Sequence, residues 1–267
     1  MKISLDVRKS LEENASAYFD AAKKARAKID GARQAIERAK KAKEKAEALP
    51  QKQASQQLPK KVRKRSWYEK FKWFFSSNGM LVLAGRDATT NENLVKKHLE
   101  PRDVVFHTDA PGSPFVIVKT EGEEVPDEVL QEAADFCASH SKAWKLGLSS
   151  AETYWVEPEQ VTKEAKAGEY MQKGSFMVYG KRNYIQPRIG LVAVPYEDKV
   201  MVAPENAAKA HHQGVAARIS EGDTKASDTA KKVIAIIGCG EPDDVIPNLP
   251  AGGCRVEKAS LEKVAEG

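Results

Sequence analysis

At 267 residues and 41% hydrophobic content, the chain can bury one large core or two modest ones, which excludes a disordered protein. No run reaches the roughly 18 consecutive apolar residues of a membrane span, and MKISLDVRKSLEEN at the N-terminus lacks the apolar stretch of a secretory signal, so a cytoplasmic protein without membrane contact is expected. The net charge of +5 is uneven: residues 1–65 carry 19 Lys and Arg against 8 Asp and Glu, a surplus of 11, while residues 66–267 carry 24 against 30, a deficit of 6.

From Leu11 the pattern is helical. Leu11, Ala15, Tyr18, Ala22, Ala25, Ile29, Ala32, Ile36 and Ala39 recur at alternating spacings of four and three, the seam of a coiled coil. Ser10 and Glu13 supply a capping box, and Pro50 ends the helix. Alanines dominate the seam, so it buries little area and calls for a partner helix. Residues 1–49 are therefore read as a basic coiled-coil helix and 50–65 as a basic linker. In KKVRKR the linker gathers Lys60, Lys61, Arg63, Lys64 and Arg65, a set suited to phosphate contacts or to a solvated spacer.

Beyond Trp67 the pattern turns to short strands. An aromatic run, Asn78-Gly79 as a two-residue type I′ turn, and the apolar MLVLAG predict a hairpin. Thr89–Leu99 reads as a helix with Thr89 and Glu92 as its capping box. DVVFHTD and PFVIVKT read as strands flanking HTDAPGSPF. One long helix is expected from Pro126 to Gly147, with Val129, Ala133, Phe136, Cys137, His140 and Trp144 on its apolar face. ETYWVEP and SFMVYGKRNYI return to strand. Cys137, Cys239 and Cys254 contain no C-x-x-C pair, and free thiols are expected rather than a disulfide framework or zinc ribbon. The fold class is α+β.

WYEKFKWFFSSNGMLVLAGRDATTNENLVKKHL, FHTDAPGSPFVIVK, EAADFCASHSKAW and GEYMQKGSFMVYGKRN, in this order, resemble the NFACT-R domain of the NFACT family, which includes fibronectin-binding-A-like proteins and ribosome-quality-control factors. SLDVRKSLEENASAYFDAAKKARAKIDGARQAIE, residues 4–37, is similar to the start of the coiled-coil arm of archaeal members, and KASDTAKKVIAIIG with DDVIPNLPAGGCRVE resembles their C-terminal extension. The resemblance implies a mixed-sheet NFACT-R domain with packed helices over 66–186, and a small α+β extension over 187–267. The NFACT-N domain and helix-hairpin-helix segment of usual members do not appear in this sequence, so a short or split member, or a C-terminal half, is expected. The implied function is RNA binding in ribosome-associated quality control, at an obstructed large ribosomal subunit and its peptidyl-tRNA. Large-subunit rRNA and tRNA are then the partners, with an NFACT-N half in trans or a coiled-coil partner, and no catalytic residue or cofactor is expected. A free-standing RNA- or tRNA-binding module is the alternative.

His107 and Asp109 pose the chemical question. As metal ligands they need a third group, such as His98 or Asp87, and as a general acid/base pair they need a nucleophile that no recognisable elbow supplies. A metal-dependent enzyme therefore stands as the outlying reading, and no metal is expected. Recognition fits better: Arg86, Asp87, His107 and Asp109 lie at strand ends where side chains can converge on one rim. Asp109 capping its own turn, and Asp87 pairing with Arg86 or a neighbour, is the structural alternative. Arg86, Lys96, Lys97, Lys119, Lys181 and Arg182 are candidate phosphate contacts, and Tyr184 in GKRNYIQPR is a candidate base contact. At least three of Trp67, Trp73, Trp144 and Trp155 are expected in packing, and His140 as a core histidine with its hydrogen bonds satisfied.

Overall fold

The computed structural model describes residues 5–8, 10–48, 65–109, 112–164 and 173–262, which fall into two units, Met1–Arg63 and Lys64–Gly267. The first unit is built on α1 (Leu11–Ala48). It starts where the sequence places it: the Glu13 amide donates to Ser10 Oγ at 3.1 Å, and the Ser10 amide to Glu13 Oε2 at 2.8 Å. Leu11, Tyr18, Ile29 and Ile36 of the seam are exposed. Lys60, Lys61, Arg63 and Lys64 lie outside the described residues, and Arg65 is exposed.

The second unit opens with a 3-10 turn (Trp67–Lys70), then β1 (Lys72–Phe75), β2 (Leu81–Ala84), α2 (Ala88–His98), β3 (Val104–Thr108), β4 (Val116–Lys119), α3 (Asp127–Ser139), α4 (Lys142–Lys145) and β5 (Thr153–Val156). Two-residue strands β6 (Val161–Thr162) and β7 (Met177–Val178) pair with each other, and β8 (Asn183–Ile185) follows. The large sheet runs β1-β2-β4-β3-β5-β8. The α+β class holds, but each described pairing is antiparallel, so the large sheet is not mixed.

Local chemistry shifts several expected boundaries. The β1–β2 hairpin forms, but its turn is not type I′. The Gly79 amide donates to the Ser76 carbonyl, the Ser76 amide to the Met80 carbonyl, and only Gly79 has positive φ, at 91°. This is a three-residue loop that needs one left-handed glycine. α2 begins two residues before the expected capping box. Asp87 accepts the Thr90 amide at 2.8 Å while Thr90 Oγ1 accepts the Asp87 amide at 2.9 Å, and Glu92 instead pairs with Lys96 at 2.7 Å. The single helix expected up to Gly147 is two. The Ser141 hydroxyl donates to the Ala138 carbonyl at 2.7 Å and accepts the Ala143 amide at 3.1 Å, so one side chain closes α3 and opens α4. SFMVYGKRNYI is likewise split between β7 and β8, in different sheets.

The remainder forms a second antiparallel sheet, β10-β9-β11-β12, from β9 (Leu191–Tyr196), β10 (Lys199–Ala203), β11 (Gly214–Thr224) and β12 (Cys254–Leu261), with α5 (Glu205–His211), α6 (Ala226–Ile237) and α7 (Pro242–Val245). The sheets change over between Ile185 and Leu191, yet one apolar core joins them: Phe74, Phe106 and Phe136 belong to the same buried cluster as Leu191, Met201 and Ile219. Each such side chain contributes roughly 1.5–3 kcal/mol when fully buried. All three cysteines are free.

Candidate nucleic-acid interface

Register builds the first part of the site. His107 lies opposite Tyr154, and Tyr154 opposite Tyr184, so β3, β5 and β8 carry the three rings on one face of the sheet. Ring centroids are 6.3 Å apart from His107 to Tyr154 and 5.8 Å from Tyr154 to Tyr184. The Arg182 guanidinium lies 4.6 Å over the Tyr154 ring. Asp109 fastens the row: Arg182 Nη1 donates to its Oδ1 at 2.6 Å and the Tyr184 hydroxyl to its Oδ2 at 2.9 Å. Asp109 thus reaches across the sheet through its carboxylate. Tyr184 remains 57% exposed on the edge strand, beside exposed Lys181. A planar cation and an exposed ring on a sheet edge can stack a base and contact a phosphate together.

His107 leads from this row into a cavity of about 430 Å³, lined also by Arg86, Asp87, Asn91, Phe115 and Phe176. Its imidazole is committed on both sides. Nδ1 donates to the Thr108 carbonyl at 2.6 Å, which leaves Nε2 to accept from the Ser113 hydroxyl at 3.1 Å. Burial holds its pKa below the usual histidine range, against those hydrogen bonds. A neutral ring with both nitrogens engaged is poorly placed as a general base. Among the described residues no group of three His, Cys, Asp or Glu side chains could hold a metal ion.

Close packing shapes the cavity wall. Asn91 of α2 accepts the Phe115 amide at 2.9 Å and donates to the Gly174 carbonyl at 2.9 Å. That bracket requires a glycine at position 85, where a Cβ would lie 2.4 Å from Asn91 Oδ1. Arg86 is half-buried, its Nη2 donating to the carbonyls of Glu69 at 2.5 Å and Phe71 at 2.9 Å. Lys72, which sequence reasoning missed, lines the same cavity. Its ammonium donates to the carbonyls of Leu249 and Pro247, and burial, with Arg86 nearby, lowers its pKa to about 7. The strand alternation in FKWFF marks Lys72 as one of a strand's residues and gives no sign that it shares a cavity wall with Asn91, 19 residues downstream.

The other expected cations separate. Lys119 gives its ammonium to Asp103 at 2.6 Å, the His98 carbonyl at 2.8 Å and Glu100 at 3.0 Å, a structural set that leaves it little reach toward a phosphate. Lys96 is paired with Glu92, and Lys97 is exposed on the same helix. Trp73 and Trp144 are buried and Trp155 is partly so, whereas Trp67 is 49% exposed and stacks on His98 at 4.9 Å. His140 is in the core as expected, but neither ring nitrogen has a partner among the described residues.

Residues 70–180 match the family model described as the NFACT protein RNA binding domain. The archaeal Rqc2 homolog aRqcH of Methanocaldococcus jannaschii is 41% identical over 212 residues, 76% of this chain and 31% of that protein. The ribosome quality control complex subunit NEMF homolog of Drosophila melanogaster is 37% identical over 188 residues, 68% of this chain and 18% of that one. Human ribosome quality control complex subunit NEMF is 35% identical over 192 residues, 70% of this chain and 18% of the relative. The chain therefore spans less than a third of each relative's length. With its RNA-binding domain matched and its relatives aligned over about 70% of its length, the chain belongs to the NFACT family.

Proposed function

We propose that this chain binds RNA within ribosome-associated quality control, engaging an obstructed large ribosomal subunit and its peptidyl-tRNA in the cytoplasm and making no bond itself. The observation that carries the reading is the row of His107, Tyr154 and Tyr184 with Arg182 stacked on Tyr154 and Asp109 holding both Arg182 and Tyr184. Such a surface presents ring faces and a guanidinium in a fixed geometry, so a single-stranded segment meets preorganised partners. Lys181 and Arg65 extend the positive surface within the second unit. The linker cations Lys60 to Lys64 add phosphate contacts, Lys97 is available for another, and Lys96 joins them by exchanging Glu92 for phosphate. In this reading residues 66–186 hold the RNA, the 187–267 extension supports them, and α1 carries the coiled-coil partner or an NFACT-N half supplied in trans.

The test is binding to three probes: large subunits carrying peptidyl-tRNA, empty large subunits, and free tRNA. The expected order is tightest binding to the first. A Tyr184→Ala, Arg182→Glu double variant is expected to weaken it at least tenfold, since base stacking on an aromatic residue is worth roughly 1–3 kcal/mol and a cation is reversed, while the melting temperature changes by only a few degrees. Equal affinity for all three probes would instead support a free-standing RNA-binding module. Unchanged binding by the double variant would remove the row from the interface.

A further inference from the structure

The cavity beside His107 holds more positive charge than the protein balances. Lys72 is 8% exposed, and neither it nor Arg86 forms an ion pair with a carboxylate among the described residues. Both donate to backbone carbonyls, and Arg86 Nε is buried without a partner. Lys173 stands exposed at the cavity wall. Asp87 is the one carboxylate among the described lining residues, and its Oδ1 already accepts the Thr90 amide and hydroxyl. Buried cations with no counter-ion are unfavourable, and an anion entering the cavity would relieve them.

His140 supplies an independent observation. It is 6% exposed, lines the same cavity, and leaves both ring nitrogens without a partner among the described residues. Burial, and then Lys72, hold its pKa far below the usual range, so the ring is neutral and offers one donor and one acceptor. The phosphodiester of an RNA strand only accepts and cannot serve both. A nucleobase edge or a ribose hydroxyl can. The volume, about 430 Å³, exceeds what a phosphate alone needs and lies within the roughly 300–1,000 Å³ of small-molecule sites. Phe115 meets Phe176 edge-on at 5.5 Å and lies 4.5 Å from His107, which gives the cavity an aromatic wall.

We infer that this cavity accepts one unpaired nucleotide of an RNA strand, its phosphate held by Arg86 and Lys173 and its base placed against Phe115 with its polar edge toward His140. The inference rests on the proposed RNA-binding function and deepens it: His107 belongs to both the surface row and the cavity, so a strand lying on the row adjoins the cavity at His107.

The experiment uses the full chain and a short labelled single-stranded RNA followed by fluorescence anisotropy. Uridine and adenosine 5′-monophosphates and inorganic phosphate serve as competitors, and direct calorimetry measures the mononucleotides. Mononucleotides should displace the RNA at concentrations where inorganic phosphate does not. His140→Phe, which removes both unpartnered nitrogens, should raise the Kd roughly tenfold with an equal or higher melting temperature. Lys173→Glu changes an exposed residue and should also weaken binding without affecting folding. If both variants bind RNA like the wild type while Tyr184→Ala does not, the cavity assignment is overturned and the surface interface stands. Phosphate competing as well as the nucleotides would also overturn it. If the wild type binds no RNA, the proposed function fails, and a mononucleotide heat that disappears in His140→Phe would still support a nucleotide cavity.

Discussion

His140 and His107 show how little a residue's type reveals of its environment. Both have pKa values held below the usual 6.5, His140 by burial and then Lys72, His107 by burial against its hydrogen bonds, and burial acts on His98 in the same direction. A depressed histidine pKa means that the unfolded chain binds the proton more readily. The stability these residues contribute is complete above about pH 6.5 and is lost as the pH falls below it. Lys72, lowered to about 7, acts in the same direction, its contribution falling with pH until the folded state has taken up the proton below about 7. Glu132 and Asp135 have pKa values raised by burial and act in the opposite sense as acidification continues. Urea midpoints should therefore fall between pH 7.5 and 5.5, and fall less in His140→Phe; identical slopes in the two proteins would exclude His140 as a source. The sequence marks His140 as apolar-face and core, which is correct, but that neither ring nitrogen has a hydrogen-bond partner among the described residues depends on what surrounds it in space. Arg182 and Tyr184 could be flagged from GKRNYIQPR because charge and aromaticity are local properties. Tyr154 could not, because its place in the row depends on the register of β5 between β3 and β8.

At the scale of elements, strands and helices were legible wherever periodicity and capping chemistry coincide, as at the start of α1. They were misread where two local signals competed. At α2, Thr89 with Glu92 and Asp87 with Thr90 both offer a helix start, and the second wins because its two hydrogen bonds close while Glu92 is drawn to Lys96 and to the Gly174 amide. The same helix accounts for Gly85. Adding a methyl there would meet Asn91 Oδ1 at 2.4 Å and its Cα at 2.7 Å, pushing α2 away from β2 and opening the bracket to Phe115 and Gly174. Gly85→Ala should destabilise the protein by about 1–3 kcal/mol in chemical denaturation, and it should weaken RNA binding as well if the cavity takes a nucleotide. Wild-type stability in this variant would mean that the wall yields without strain.

For the whole molecule, the sequence divides near residue 187 into two candidate domains, and the sheets do change over between Ile185 and Leu191. Their side chains do not divide there. Phe74 and Phe136 share a cluster with Leu191 and Met201, and the Phe75 amide points at Met201 Sδ at 3.4 Å. Periodicity assigns residues to a buried face but cannot say which buried faces meet. A fragment ending at residue 187 should consequently expose apolar surface and be digested rapidly by protease, whereas residues 65–262 should resist. Equal resistance of the two would establish an independent N-terminal domain. The anchoring of Lys72 on the Pro247 and Leu249 carbonyls, with Ala251 in the same cavity wall, has a consequence for the order of synthesis. Ala251 and the carbonyls of Pro247 and Leu249 complete a cavity whose other walls are made far earlier, so the nascent chain cannot close that cavity until residue 251 has been joined. On the proposed reading, a protein that acts on stalled translation acquires its nucleotide cavity only once its own translation has passed that point.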